Sequence, residues 1–75
     1  MPSSIPAVPG AKVIKALEGV GFTVVRIKGS HCFMRHSDGR AVAVPVHSSR
    51  DVPKGTLRAI LASIGMTPDE FRALL

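Results

Sequence analysis

Two turn signals, Gly29-Ser30 and Asp38-Gly39, limit what this chain can fold into more than any other feature. They cut residues 22–46 into three runs too short, and too irregular in their apolar spacing, for helices. The first, residues 22–28, is rich in residues that suit a pleated, half-buried surface: Phe22, Thr23, Val24, Val25 and Ile27. Residues 31–36 and 41–46 continue in the same extended pattern. Ser37-Asp38-Gly39-Arg40 is a hairpin signal, because Asp-Gly supplies the positive φ that a tight turn needs. Connections this short leave only antiparallel pairing, so the three runs form a meander. Pro45 has no N–H to give a ladder and places the third strand at an edge.

The flanks read as helices. Val13, Leu17 and Val20 recur at i, i+4 and i+7, widened by Ile14 and Ala16, with Lys12, Lys15 and Glu18 turned to water. This helix is expected from Ala11; Gly19 weakens its last turn and Gly21 stands as its left-handed cap. Residues 1–10, with Pro2, Pro6 and Pro9, read as an extended arm whose Ile5 and Val8 dock on the body, leaving 11–75 as one domain. After a polar loop at residues 47–51, Pro53 is expected in the first turn of a second helix, capped by Asp51 or a neighbouring serine. Its stripe is Leu57, Ile60, Leu61 and Ile64, its outward face Lys54 and Arg58, and its end Gly65. Thr67-Pro68-Asp69-Glu70 is a capping box with Pro68 at the first helical position, leading to a short last helix at residues 71–75. A sheet this small is stable only with one face covered, and the two amphipathic helices can cover it together. The expected architecture is therefore α+β, αβββα plus a short C-terminal helix, the order of the double-stranded-RNA-binding fold. Fold alone assigns no function.

Charge narrows the partners. Ten Lys and Arg stand against five Asp and Glu, a net +5, which favours nucleic acid or an acidic protein, although such an excess also serves solubility. Three Phe, with no Trp or Tyr, are few for a base-stacking platform, so contacts to phosphate and sugar or recognition of shape suit the composition better. The single Cys32 makes no internal disulfide. No basic stretch followed by a long apolar run marks a secretory signal or membrane span, and the cytoplasm is the expected location. A chain of 75 residues has no room to wrap a large cofactor, and none is expected.

The most unusual local feature is Arg26-Ile27-Lys28-Gly29-Ser30-His31, where two cations lead into a Gly-Ser turn that delivers a histidine to a strand's start. Gly29 lets a phosphate or ribose approach the backbone closely. A histidine takes and returns protons near neutral pH, and RNA carries its own nucleophile in the 2′-hydroxyl. Lys28, Arg26 or Arg40 can stabilise charge building on phosphoryl oxygens, and no metal is needed. The same spacing also fits a solvated histidine at a strand end. His47, after the third strand, is a second candidate as general acid or phosphate donor, or else a loop histidine fixing the turn. His36 alternates onto the face opposite His31. A zinc site from His31, Cys32, His36 and His47 is excluded because adjacent strand residues point to opposite faces; Cys32 reads as a small half-buried side chain. Arg50, Lys54 and Arg58 either meet a phosphate with the second helix's N-terminus or form a solvated face.

In order along the chain stand Ala16-Leu17-Glu18, Gly21-Phe22, Val25-Arg26, Lys28-Gly29-Ser30-His31, Asp38-Gly39-Arg40, Val44-Pro45-Val46-His47, Gly55-Thr56-Leu57-Arg58-Ala59-Ile60-Leu61, Gly65 and Glu70-Phe71. Together they resemble the HicA family of toxin ribonucleases, the RNA-cutting half of HicA/HicB toxin–antitoxin pairs. Ile27 and Cys32 depart from the commoner pattern without removing a motif residue. The resemblance implies the double-stranded-RNA-binding fold and metal-independent cleavage of mRNA by the Gly-Ser-His histidine, here His31. It also implies a HicB-type antitoxin covering the active surface, with a monomer alone and a hetero-oligomer in the pair. The other readings are an RNA-binding module that does not cut, and a domain that binds only an acidic protein.

Overall fold

The computed structural model describes residues 5–48 and 50–75. Its elements run α1 (Gly10–Glu18), β1 (Phe22–Lys28), β2 (His31–His36), β3 (Ala41–Pro45), α2 (Lys54–Ser63) and α3 (Pro68–Arg72). The strands make one antiparallel sheet in the order β1-β2-β3, so β2 is central and Pro45 lies in an edge strand, as its missing N–H requires. Burial alternates along β2: Cys32 and Met34 are buried, His31 and Arg35 exposed. The inner face packs against both long helices, with Val13 and Leu17 from α1 and Leu57 and Leu61 from α2 closing over Phe22, Met34 and Val44. Each such side chain contributes about 1.5–3 kcal/mol by leaving water. This is the expected α+β architecture. No helix among the described residues is long and apolar enough to cross a membrane.

The arm docks as its apolar residues suggest. Ile5 and Val8 are buried, the Val52 N–H donates to the Val8 carbonyl at 2.9 Å, and Pro9 bridges Asp51. Residues 1–4 of the expected arm lie outside the described residues. Where the arm turns into α1, Gly10 lies so close to the end of β3 that a Cβ there would stand 2.4 Å from the Pro45 carbonyl oxygen.

Several boundaries differ from expectation. Helix α1 ends at Glu18, with Gly19 as a right-handed C-cap. Tight bonds from the Val20 and Gly21 N–H groups to Leu17 and Glu18 close the last turn, and Gly21 takes its positive φ two residues beyond the cap. Strand β3 stops at Pro45, one residue short. Pro53 is the N-cap of α2 rather than part of its first turn, and no side chain caps that end. Asp51 lies too far upstream to do so and is held instead in the bridge to Pro9, while Ser49 is outside the described residues. The far end of α2 closes as a Schellman motif, Met66 N–H to the Leu61 carbonyl and Gly65 N–H to the Ala62 carbonyl, with Gly65 just past the C-cap. The Thr67–Glu70 capping box is present with Pro68 at the first helical position, as expected, but α3 spans Pro68–Arg72 rather than residues 71–75. Cys32 is fully buried, not half-buried, and burial followed by the Glu18 charge raises its thiol pKa.

Candidate functional site

A phase break in β1 builds the site. Phe22 and Val24 pair with His36 and Met34, so even-numbered positions of β1 begin on the inner face. In an unbroken ladder Arg26 and Lys28 would follow them onto the inner face. The register slips between Val24 and Arg26: Val25 is an extra residue, Arg26 faces Phe33, Ile27 faces Cys32 and Lys28 faces His31. This β-bulge moves both cations to the outer face, beside Phe33 and His31 of the central strand.

On that face the central strand presents His31, Phe33 and Arg35. The Arg26 guanidinium lies over the Phe33 ring, 5.7 Å from its centroid, and the His31 and Phe33 rings are 6.5 Å apart at 38°. Lys28 is the direct cross-strand neighbour of His31. The three strands carry no Asp or Glu, so the charge of this face is uncompensated within the sheet. Among the described residues the His31 ring has no hydrogen-bond partner, and His31 is exposed.

Gly29 takes φ +59° in the turn that delivers His31, a conformation strained for other residues, and open space surrounds the place where a Cβ would sit. The Ser30 carbonyl accepts the Val46 N–H at 2.6 Å, tying this turn to the segment after β3. His47 is the next residue and is exposed, so the meander brings its backbone to the His31 end of the sheet, although no hydrogen bond joins the two histidines. A cleft of about 240 Å³ opens beside the turn, lined by Ile14, Ile27, Ser30, His31 and Val46 among others. Ile27, exposed despite its apolar side chain, forms part of its rim.

Arg40 is not brought to this end. It lies beyond the opposite end of β2, where Asp38 accepts its backbone N–H at 3.0 Å and its Nε–H at 2.8 Å, and the Ile64 carbonyl accepts its Nη1–H at 2.8 Å. The negative end of α2 and a carboxylate hold it there as a clamp. His36 sits on the inner face, as alternation requires, but it also joins elements. Its Nε2–H donates to the Val20 carbonyl at 3.1 Å, its Nδ1 accepts the Asp38 N–H at 3.1 Å, and its ring meets Phe22 edge-on at 5.1 Å. Its link to the end of α1 had no counterpart in the local sequence pattern. His31 and Cys32 lie on opposite faces, the geometry that excludes their sharing a zinc ion. Lys54 and Arg58 belong to the helical layer rather than the outer face, and Arg50 to the loop before it; all three are exposed.

Residues 10–66 match the family model of the HicA toxin of bacterial toxin–antitoxin systems. No curated protein matches the chain. With most of its length matched, the chain belongs to the HicA toxin family, and is thereby the toxin partner of an antitoxin.

Proposed function

We propose that this member of the HicA toxin family is a metal-independent endoribonuclease that cuts mRNA with the imidazole of His31. The observation carrying the proposal is the phase break at Val25, which puts Arg26 and Lys28 on one face with an exposed histidine whose ring nitrogens have no hydrogen-bond partner among the described residues. A His31 nitrogen takes the proton of a ribose 2′-hydroxyl. The freed oxygen attacks the adjacent phosphorus, the bond from phosphorus to the 5′-oxygen breaks, and that oxygen leaves with a proton returned by an acid. The products are a 2′,3′-cyclic phosphate and a 5′-hydroxyl end. His47, whose backbone the meander brings to this end of the sheet, serves as that acid. Lys28 and Arg26 bear on the phosphoryl oxygens as their charge grows, and Gly29 and Ser30 leave the backbone open to the ribose. Arg40 has no part in this step because its guanidinium is engaged elsewhere. The protein acts in the cytoplasm as a monomer until a HicB-type antitoxin covers the same face.

One observation favours the second reading, an RNA-binding module that does not cut: among the described residues no side chain orients the imidazole, as a partner group commonly does for a general base. Digestion of RNA in EDTA, with end-group analysis, separates the two. The parent is expected to yield cyclic-phosphate ends, and His31→Ala to lose about 10²- to 10⁴-fold in rate with an unchanged circular dichroism spectrum. Equal cleavage by the two proteins would remove His31 from the mechanism, and intact RNA with the parent would leave binding alone.

A further inference from the structure

Of the three Phe, two are core: Phe22 and Phe71 are 1% and 0% exposed. Phe33 alone lies on the outer face, between Arg26 and His31. Across from it on β3 stands Ala43, and across from Arg35 stands Ala41. These two methyl groups are too small to cover the ring from that side. They leave a basin of about 390 Å³ walled by Val25, Phe33 and Arg35 and floored by Ala41 and Ala43. Its surroundings are cationic, through Arg26, Lys28 and Arg35, with no carboxylate on any strand.

We propose that this basin holds one unpaired nucleobase of RNA stacked on Phe33, so that single-stranded rather than duplex RNA is the substrate class. This rests on the reading that His31 acts on RNA. A stacked base needs a flat apolar partner, and cations near its flanking phosphates. The exposed Arg26 guanidinium, 5.7 Å from the Phe33 centroid and outside the basin's lining, stands beside the seated base, where its charge meets a flanking phosphate. The ribose beside that base then lies next to His31, whose ring adjoins the same platform. A base inside a duplex has both faces covered and its edge paired, and cannot enter. Few aromatics made a stacking platform an unfavoured reading of the composition; one ring is enough for one base when it adjoins the reactive imidazole.

The test uses the full chain in a His31→Ala background, which prevents cutting, and a single-stranded oligoribonucleotide carrying 2-aminopurine. Binding is expected to quench the probe. Phe33→Leu should weaken single-strand binding by about 5- to 100-fold and abolish the quench, Phe33→Trp should keep both, and a fully paired duplex should bind weakly and indifferently to the change. A folded Phe33→Leu that binds and quenches like its parent overturns the proposal, as does duplex binding equal to single-strand binding. Loss of antitoxin binding by Phe33→Leu with RNA binding intact also overturns it, assigning the face to a protein. Should Phe33→Leu fail to fold, absence of a quench with His31→Ala alone, or its loss in Phe33→Trp, decides against the subsite. Intact RNA with the parent protein would sink the nuclease reading while the quench still upheld the platform, so the two failures are distinct.

Discussion

Strand β2 begins and ends with a histidine, roughly 17 Å apart along the strand, each with an arginine or lysine nearby. At the His36 end the imidazole and the neighbouring guanidinium are both engaged: the imidazole bonds on both sides, and Arg40 is held by a carboxylate and a helix carbonyl. At the His31 end the imidazole has no hydrogen bond among the described residues, and Arg26 and Lys28 face no acid within the sheet. The residue types are alike, and the difference lies in what the neighbours offer. Saturated polar groups fix the fold, whereas unsaturated ones on a rigid strand remain available to a ligand.

Crossing the two histidines tests this contrast most severely. His31→Ala should remove cleavage and leave the melting temperature where it was. His36→Ala should do the reverse, because it strands the Val20 carbonyl and the Asp38 amide and removes the ring contact with Phe22. The expected loss is about 2 kcal/mol, or a fall on the order of 10 °C in Tm, with cleavage per folded molecule retained. Similar Tm losses in both variants would erase the distinction between the ends. A smaller effect is expected at Lys28, exposed and unpaired within the sheet. Lys28→Met should weaken RNA binding at low salt and reduce the slope of log K against log salt by about 1 if Lys28 meets one phosphate. An unchanged slope would take Lys28 off the RNA path.

The smallest difference concerns acid. The Arg40 backbone N–H, and then its guanidinium, hold the Asp38 carboxyl below its ordinary pKa. A group with a depressed folded pKa stabilises the fold fully above its unfolded value, and that contribution disappears as pH falls through the folded value. Melting curves between pH 2 and pH 7, on the order of the carboxylate range, should therefore show a shallower acid limb for Asp38→Asn than for the parent. Lys28→Met should leave that limb alone, and equal limbs in parent and Asp38→Asn would show that the clamp does not hold in solution.

Much of the architecture is legible locally. Gly-Ser and Asp-Gly between three short extended runs fix the meander, and the apolar stripes of α1 and α2 say which helix faces are covered. What escapes is long-range. Nothing beside Arg40 in the chain announces that its guanidinium reaches Ile64, and nothing beside His36 points to Val20, because both contacts depend on how the helices lie across the sheet. The bulge is an intermediate case. Its trace is present as a change of parity, apolar residues at 22 and 24 but at 27 thereafter, with charges at 26 and 28; a uniform strand reading passes over it. The outer-face position of Phe33 follows from simple alternation, but the empty space beside it depends on which alanines register opposite.

The docked arm bears on where this protein's indivisible unit lies. The family match begins at residue 10 and ends at residue 66, yet Ile5, Val8 and Phe71 are all buried outside it. Excising the matched span would strip three side chains from the interior and release Val52 from its tether to Val8. The stretch that inheritance marks out is thus shorter than the stretch that must fold together, and an engineer shortening this toxin should heed the second boundary.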